Sequence, residues 1–216
     1  MDEKQSYRAA RETHPSKGCA NLYLTEEERN KLESATIGIA GAGGLGSNCA
    51  MHLVRTGICR LIVADFDTVN ETNLNRQFFF RDQLGMKKVD ALKANLLRIA
   101  PWLDIRAVDM RLDGPGARSI FADCDIVVEA LDTVPAKTML LGALAPIGKK
   151  IVTASGLAGW GETNAMRLKR LGANIIAVGD ARSEVGPNLP PHSPRVGIAA
   201  AMQANAVAAM ILGKEP

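Results

Sequence analysis

Gly41, Gly43 and Gly46 close an apolar, β-branched run, TIGIAG at 36–41, and lead into helix-forming residues through His52, Leu53 and Val54. This is the G-x-G-x-x-G spacing of a strand-to-helix turn, whose bare backbone can approach a phosphate. The N–H groups and partial positive charge of the helix N-terminus then face that anion. A second apolar run, RLIVADFD at 60–67, reaches Asp65 nineteen residues beyond Gly46. A carboxylate at that strand tip is placed to hydrogen-bond a ribose diol. A glycine-rich turn without a ligand, and an Asp that only caps its strand, are the plain alternatives. Together the two features point to an adenosine phosphate, in a dinucleotide or in ATP.

Beyond Asp65 come Asn73, Arg76, Gln77, Lys87 and Lys88, and much later Asp132 after a third apolar run, DIVVEAL at 125–131. A nicotinamide or flavin site wants a flat apolar slot and has little use for gathered cations. A triphosphate does use them, because charge that builds on the transferred phosphorus is stabilised by placed cations and Mg²⁺. Arg76 and Lys88 are suitable cations, and Asp132 is a suitable hard oxygen ligand for Mg²⁺. Taken singly, Arg76 or Lys88 reads equally as a solvated surface charge. Asp132 belongs at the carboxyl end of a parallel strand, the edge where open α/β sheets bind ligands.

At these residues the chain resembles the ThiF/MoeB group, the ubiquitin-activating-enzyme-like adenylyltransferases, and most of all the short ThiF forms that adenylate a sulfur carrier. The likeness is carried by GAGGLGSN (41–48), the D-x-D-x-V…N-L-x-R-Q segment (65–77), Gly85 to Lys88 and Asp132. It continues through TASGLAGWGE (153–162) and PRVGIAAAMQANAVAAMILG (194–213), covering about residues 22–213. The resemblance implies that backbone at Gly41, Gly43, Gly44 and Gly46 receives the phosphates and that Asp65 holds the ribose hydroxyls. It implies that Asn73, Arg76 and Lys88 contact the triphosphate, while Asp132 faces the metal and the reacting phosphate. The implied reaction uses ATP and Mg²⁺ to adenylate the C-terminal glycine carboxylate of a ubiquitin-like sulfur carrier ending in Gly-Gly, with thiamine biosynthesis as the pathway. A separate sulfur-transfer protein and a homodimer are implied with it. Adenylation of another carrier or of a tRNA base, a NAD-dependent oxidoreductase and a non-catalytic nucleotide-binding partner are the rival readings.

The chain departs from that family's pattern in three places. Many members carry paired C-x-x-C motifs for structural zinc, yet GDARSEVGPNLPPHSPR (179–195) has no cysteine, so no zinc is expected. All four cysteines, Cys19, Cys49, Cys59 and Cys124, precede Asp132, which leaves no candidate for a downstream thioester or persulfide cysteine. Arg8 and Arg11 are the only candidates for an arginine donated across a dimer interface, and their surroundings do not match.

The elements that must position these groups alternate. Strands are expected at 36–40, 60–65, 104–109, 125–131 and 150–154, with helices at 44–57, 88–100, 115–122 and 134–148. That order predicts an α/β fold: a Rossmann-like, mostly parallel sheet with helices on both faces. ETNAMRL (162–168) and NIIAVGD (174–180) predict an antiparallel C-terminal extension. Thr25 and Glu28 form a capping box that opens a short helix to about Ser34. Residues 1–20 read as a flexible arm and 21–216 as one adenylation domain. The four prolines of 180–195 predict a long loop, with His192 a solvated loop residue, and a closing helix follows at 195–212.

The 216 residues suit one domain with a substantial core; 47% are hydrophobic and 23% charged. A net charge of +3 is too mild to point to nucleic acid. The longest apolar run, at 199–212, contains Gln203 and Asn205 and falls short of a membrane span. The charged N-terminus lacks a secretory h-region, so a cytoplasmic location with reduced thiols is expected. Carboxylates beside Cys124 are expected to raise its pKa.

Overall fold

A computed structural model describes residues 23–216, leaving Arg8, Arg11 and Cys19 outside the described residues. Helix α1 (Glu26–Ser34) starts at Thr25, whose hydroxyl accepts the Glu28 N–H at 3.2 Å while the Glu28 carboxylate accepts the Thr25 N–H at 3.1 Å. Seven strands follow: β1 (Thr36–Ala40), β2 (Arg60–Asp65), β3 (Asp104–Asp109), β4 (Ile126–Glu129), β5 (Lys150–Ala154), β6 (Arg167–Arg170) and β7 (Ile175–Gly179). They form one sheet in the order β3-β2-β1-β4-β5-β7-β6, parallel throughout except for β6, which runs antiparallel to β7. The chain order turns back between β1 and β4, so the carboxyl ends of these two strands flank the switch point where such sheets bind ligands.

Alternation along each strand sends side chains to two cores. Ile37, Ile39, Ile126 and Val128 pack beneath α1, α2 (Gly44–Thr56), α3 (Lys88–Ile99) and α6 (Ser193–Leu212). Ala40, Val127 and Ile151 pack on the other face, under α4 (Gly114–Ile120) and α5 (Val134–Leu144). Gly38 makes room for that second core, since a Cβ there would lie 2.6 Å from the Phe121 ring. Val89, Leu92 and Leu96 form the buried stripe of α3.

Several local expectations are corrected. The helix expected at 134–148 ends at Leu144 and tightens into a 3₁₀ turn at Ala145–Ile147, where Pro146 cannot donate to the α-helical ladder. The strand expected over 162–168 starts only at Arg167, because Glu162 takes a left-handed φ of 45° and a 3₁₀ turn follows at Thr163–Ala165. Helix α6, at 20 residues and mean hydropathy 1.4, is long and apolar enough by length and composition to cross a membrane. Its apolar character has a local explanation: Val196, Ala199, Ala200, Ala204 and Val207 are buried in the core, with Arg195 and Gln203 buried beside them.

Candidate functional site

The turn after β1 is locked by two glycines. Gly41 has φ +99°, and a Cβ there would lie 2.6 Å from the Ala130 carbonyl oxygen at the end of β4. A Cβ on Gly46 would come within 1.8 Å of the Gly41 carbonyl oxygen. Only bare backbone lets α2 start this close to the strand ends, which leaves its first N–H groups facing outward for an anion.

The segment 73–78 is stitched onto that turn. The Asn48 amide donates to the Gly44 carbonyl at 2.7 Å and to the Arg76 carbonyl at 2.8 Å. The Ser47 hydroxyl donates to the Gly43 carbonyl at 2.7 Å and accepts the Phe78 N–H at 3.0 Å. The Arg76 stem covers Gly44, its Cγ 3.5 Å from where a Cβ would sit, and its guanidinium is held by the Thr72 carbonyl and Asn75 Oδ1 at 3.0 and 2.8 Å. Two motifs some thirty residues apart in sequence thus become one surface. Asn73 is buried, its Oδ1 accepting the Asn70 N–H at 3.2 Å to close a 3₁₀ turn. Gln77 is also buried, with its Oε1 unpartnered and its amide nitrogen 3.8 Å from the Cβ position of Gly43.

Asp65 ends β2, and its two carboxylate oxygens accept the Ala42 N–H at 2.6 Å and the Asp67 N–H at 2.8 Å. It therefore ties the second strand to the glycine turn. Lys88, expected to contact the triphosphate, is buried at the start of α3 and paired with Asp67 at 2.8 Å. That partner explains how a lysine can be buried at all. Asp132 is exposed just past β4 and makes no hydrogen bond or ion pair among the described residues. No three His, Cys, Asp or Glu side chains gather into a metal cage among those residues. A single free carboxylate still fits Mg²⁺, which is held by one or two carboxylates together with substrate phosphates and water.

Residues that the sequence did not single out stand farther along the same sheet edge, past β7. Arg195, buried at the start of α6, pairs with Asp180 just past β7 and donates to the Gly161 carbonyl at 2.7 Å. Burial pushes the Asp180 carboxyl up, but the Ser183 and Arg182 N–H groups and the Arg195 guanidinium outweigh it and hold it below the ordinary carboxylate range. Neither residue stands in a recognisable spacing; a charge flanking a Pro-rich loop was the only sequence signal. His192, expected to be solvated, instead stacks on Trp160 with ring centroids 3.6 Å apart. Cys124 lies between two carboxylates as expected, yet burial is the larger cause pushing its thiol up to about 12. Burial also raises Cys49.

The ThiF family model matches residues 19–216. The adenylyltransferase and sulfurtransferase UBA4 of Candida glabrata is 34% identical over 143 residues, which is 66% of this chain and 33% of that protein. The adenylyltransferase and sulfurtransferase MOCS3 of Anopheles gambiae is 33% identical over 128 residues, or 59% of this chain and 29% of that protein. This chain thus spans about a third of the length of the curated relatives it matches. Among solved structures, the AMP complex of E. coli tRNA N6-threonylcarbamoyladenosine dehydratase, TcdA, superposes with TM-score 0.81 at 20% identity, covering 90% of this chain and 93% of that one. E. coli MccB, solved with AMPCPP and MccA, superposes with TM-score 0.67 at 20% identity, covering 85% and 58%. At such identities the superpositions speak for the fold.

Proposed function

We propose that this chain, which belongs to the ThiF family, is an ATP-dependent adenylyltransferase acting on the C-terminal carboxylate of a small ubiquitin-like sulfur carrier. The observation that carries the reading is the stitching of the 76–78 segment onto the glycine turn, Arg76 by Asn48 and Phe78 by Ser47, with Asp132 free at the adjoining strand end. A dinucleotide site has no use for that arrangement. UBA4 and MOCS3, named as adenylyltransferases and sulfurtransferases, support a sulfur carrier as the acceptor. The thiamine pathway rests only on the likeness to short ThiF forms.

In this reading the carrier carboxylate attacks the α-phosphorus of ATP, the bond to the β-phosphate oxygen breaks, and pyrophosphate leaves behind an acyl-adenylate. The chain supplies no nucleophile, because the carboxylate already is one. Its contribution is positioning and charge stabilisation. The α2 N-terminus and the glycine backbone receive phosphate oxygens, Asp65 orients the ribose, and Arg76 offsets negative charge on the triphosphate. Lys88 reaches the phosphates only by sharing or leaving Asp67. Asp132 would hold Mg²⁺, which neutralises phosphate charge when bound. A homodimer is part of the same reading.

A modified tRNA base as the acceptor is the second reading, suggested by the name of TcdA, whose superposition itself speaks for the fold. Carrier-dependent and tRNA-dependent exchange of labelled pyrophosphate into ATP separates the two. Exchange with neither, together with tight NAD binding, overturns both.

A further inference from the structure

Glu129, the last residue of β4, is fully buried, and it is enclosed by donors from three elements. The Lys137 ammonium of α5 reaches its two oxygens at 2.8 and 3.1 Å. The Thr153 hydroxyl of β5 donates to Oε2 at 2.5 Å, and the Leu131 N–H donates to Oε1 at 2.7 Å. Lys137 also donates to the Ala154 carbonyl at 3.1 Å, and the Gln203 amide of α6 donates to the Glu129 carbonyl at 3.0 Å.

A buried ion pair is a poor device for stability alone. Well-packed apolar residues of the same volume would hold these elements as firmly, because both charges lose their hydration. What an apolar pair would not supply is an acceptor for the Leu131 N–H. That peptide lies at a junction: Asp132 follows it directly, and the Cβ position of Gly41 is 2.6 Å from the Ala130 oxygen and 3.3 Å from the Leu131 nitrogen. The phosphate-facing turn and the exposed carboxylate are therefore registered through one short stretch of backbone.

We propose that Glu129, oriented by Thr153 and with its charge balanced by Lys137, is a positioning residue that fixes the Leu131 peptide and so sets Asp132 against the glycine turn for a Mg²⁺–triphosphate. This rests on the nucleotide reading above. Glu129 itself touches neither substrate nor metal.

Two isosteric double variants isolate the acceptor from the charge. Glu129→Gln with Lys137→Met removes both charges but keeps an oxygen for the Leu131 N–H; Glu129→Met with Lys137→Met removes the oxygen as well. The probes are ATP with MgCl₂ and ATP with EDTA, titrated by calorimetry, with circular dichroism to confirm folding. The Met/Met variant is expected to lose about tenfold or more of the affinity that Mg²⁺ adds, as for other groups that orient metal ligands. Its binding of ATP in EDTA should stay at the wild-type level, and the Gln/Met variant should stay within about threefold of wild type in both titrations. An undiminished Mg²⁺ increment in folded Met/Met protein overturns the inference while leaving the nucleotide reading intact. A wild-type protein with no Mg²⁺-dependent ATP binding overturns that reading and this inference with it. Should Met/Met fail to fold, hydrogen exchange of the Leu131 amide in the wild type and in Thr153→Val decides. Slow exchange that quickens in Thr153→Val supports the role, and exchange as fast as in an open loop overturns it.

Discussion

The carboxyl rim of the sheet is built in two ways. On the β1–β4 side, backbone contacts dominate: the glycine turn rests on Ala130, and Asn48, Ser47 and Asp65 bind main-chain groups. On the β7–α6 side, the stretch from Asp180 to His192 also has main-chain ties, from the Asp180 and Ala181 N–H groups to the Gly156 and Ser155 carbonyls and from the Gly159 N–H to the Pro190 carbonyl. It adds a buried ion pair, Arg195–Asp180, and the stack of His192 on Trp160. The first wall is held by close glycine contacts and by side chains that bind main-chain groups. The second adds a buried charge pair to its main-chain ties, so changes at that pair should alter stability before they alter nucleotide binding.

The sharpest test of the contrast lies in the chemistry. Asp132→Ala and Arg76→Ala should each lower carrier-dependent pyrophosphate exchange by about a hundredfold or more, roughly 3 kcal/mol of transition-state stabilisation, with the melting temperature unchanged. Near-normal exchange in either variant would move the chemistry away from the first wall. On the second wall, Arg195→Met leaves Asp180 buried without its cation, and should cost about 3–5 kcal/mol of unfolding free energy in a denaturant titration. ATP affinity in the folded variant should remain close to wild type; a matching fall in ATP affinity would erase the distinction between the walls.

A smaller effect concerns acid. Asp180 has its carboxyl held below the ordinary range, so its contribution is present above pH ~4 and fades as pH falls through the lowered value. The stability advantage of wild type over Asp180→Asn, followed by thermal melting, should therefore shrink below pH ~4; an advantage that grows in acid would contradict the assignment. The smallest effect is expected from the thiols. With Cys49 and Cys124 buried and their thiols raised, a cysteine-free variant with small replacements should keep exchange activity. A thiol-sensitive adduct with the carrier that vanishes in Cys19→Ser would instead bring the N-terminal segment into the reaction.

The same contrast governs how much could be read in advance. Glycine spacing and strand-end acids are local devices, so Gly41, Gly46, Asp65 and the parallel sheet were legible in the chain itself. The antiparallel β6–β7 pair was legible from its short connection. Lys88 was recognisable as a cation but not as the partner of Asp67, because an ion pair between residues 21 positions apart leaves no periodic trace. Asn48 and Ser47 sit inside the glycine motif yet act on residues 76 and 78, and nothing in their spacing announces it. Glu129 looked like one more residue of an apolar run. Its burial becomes intelligible only when Lys137, eight residues later, and Thr153, twenty-four later, fold over it.

Asp65 carries one further consequence. Both of its oxygens already hold main-chain N–H groups, from Ala42 and Asp67, before any sugar arrives. A carboxylate offers about four lone-pair positions, so on the proposed nucleotide reading a ribose diol would use those that remain without displacing a protein donor. The side chain is immobilised during folding, and its rotamer entropy is spent there instead of at the encounter with nucleotide. On that reading, recognition of the sugar would draw on an ordered receptor, and selectivity against a 2′-deoxyribose should appear mainly as a loss of enthalpy.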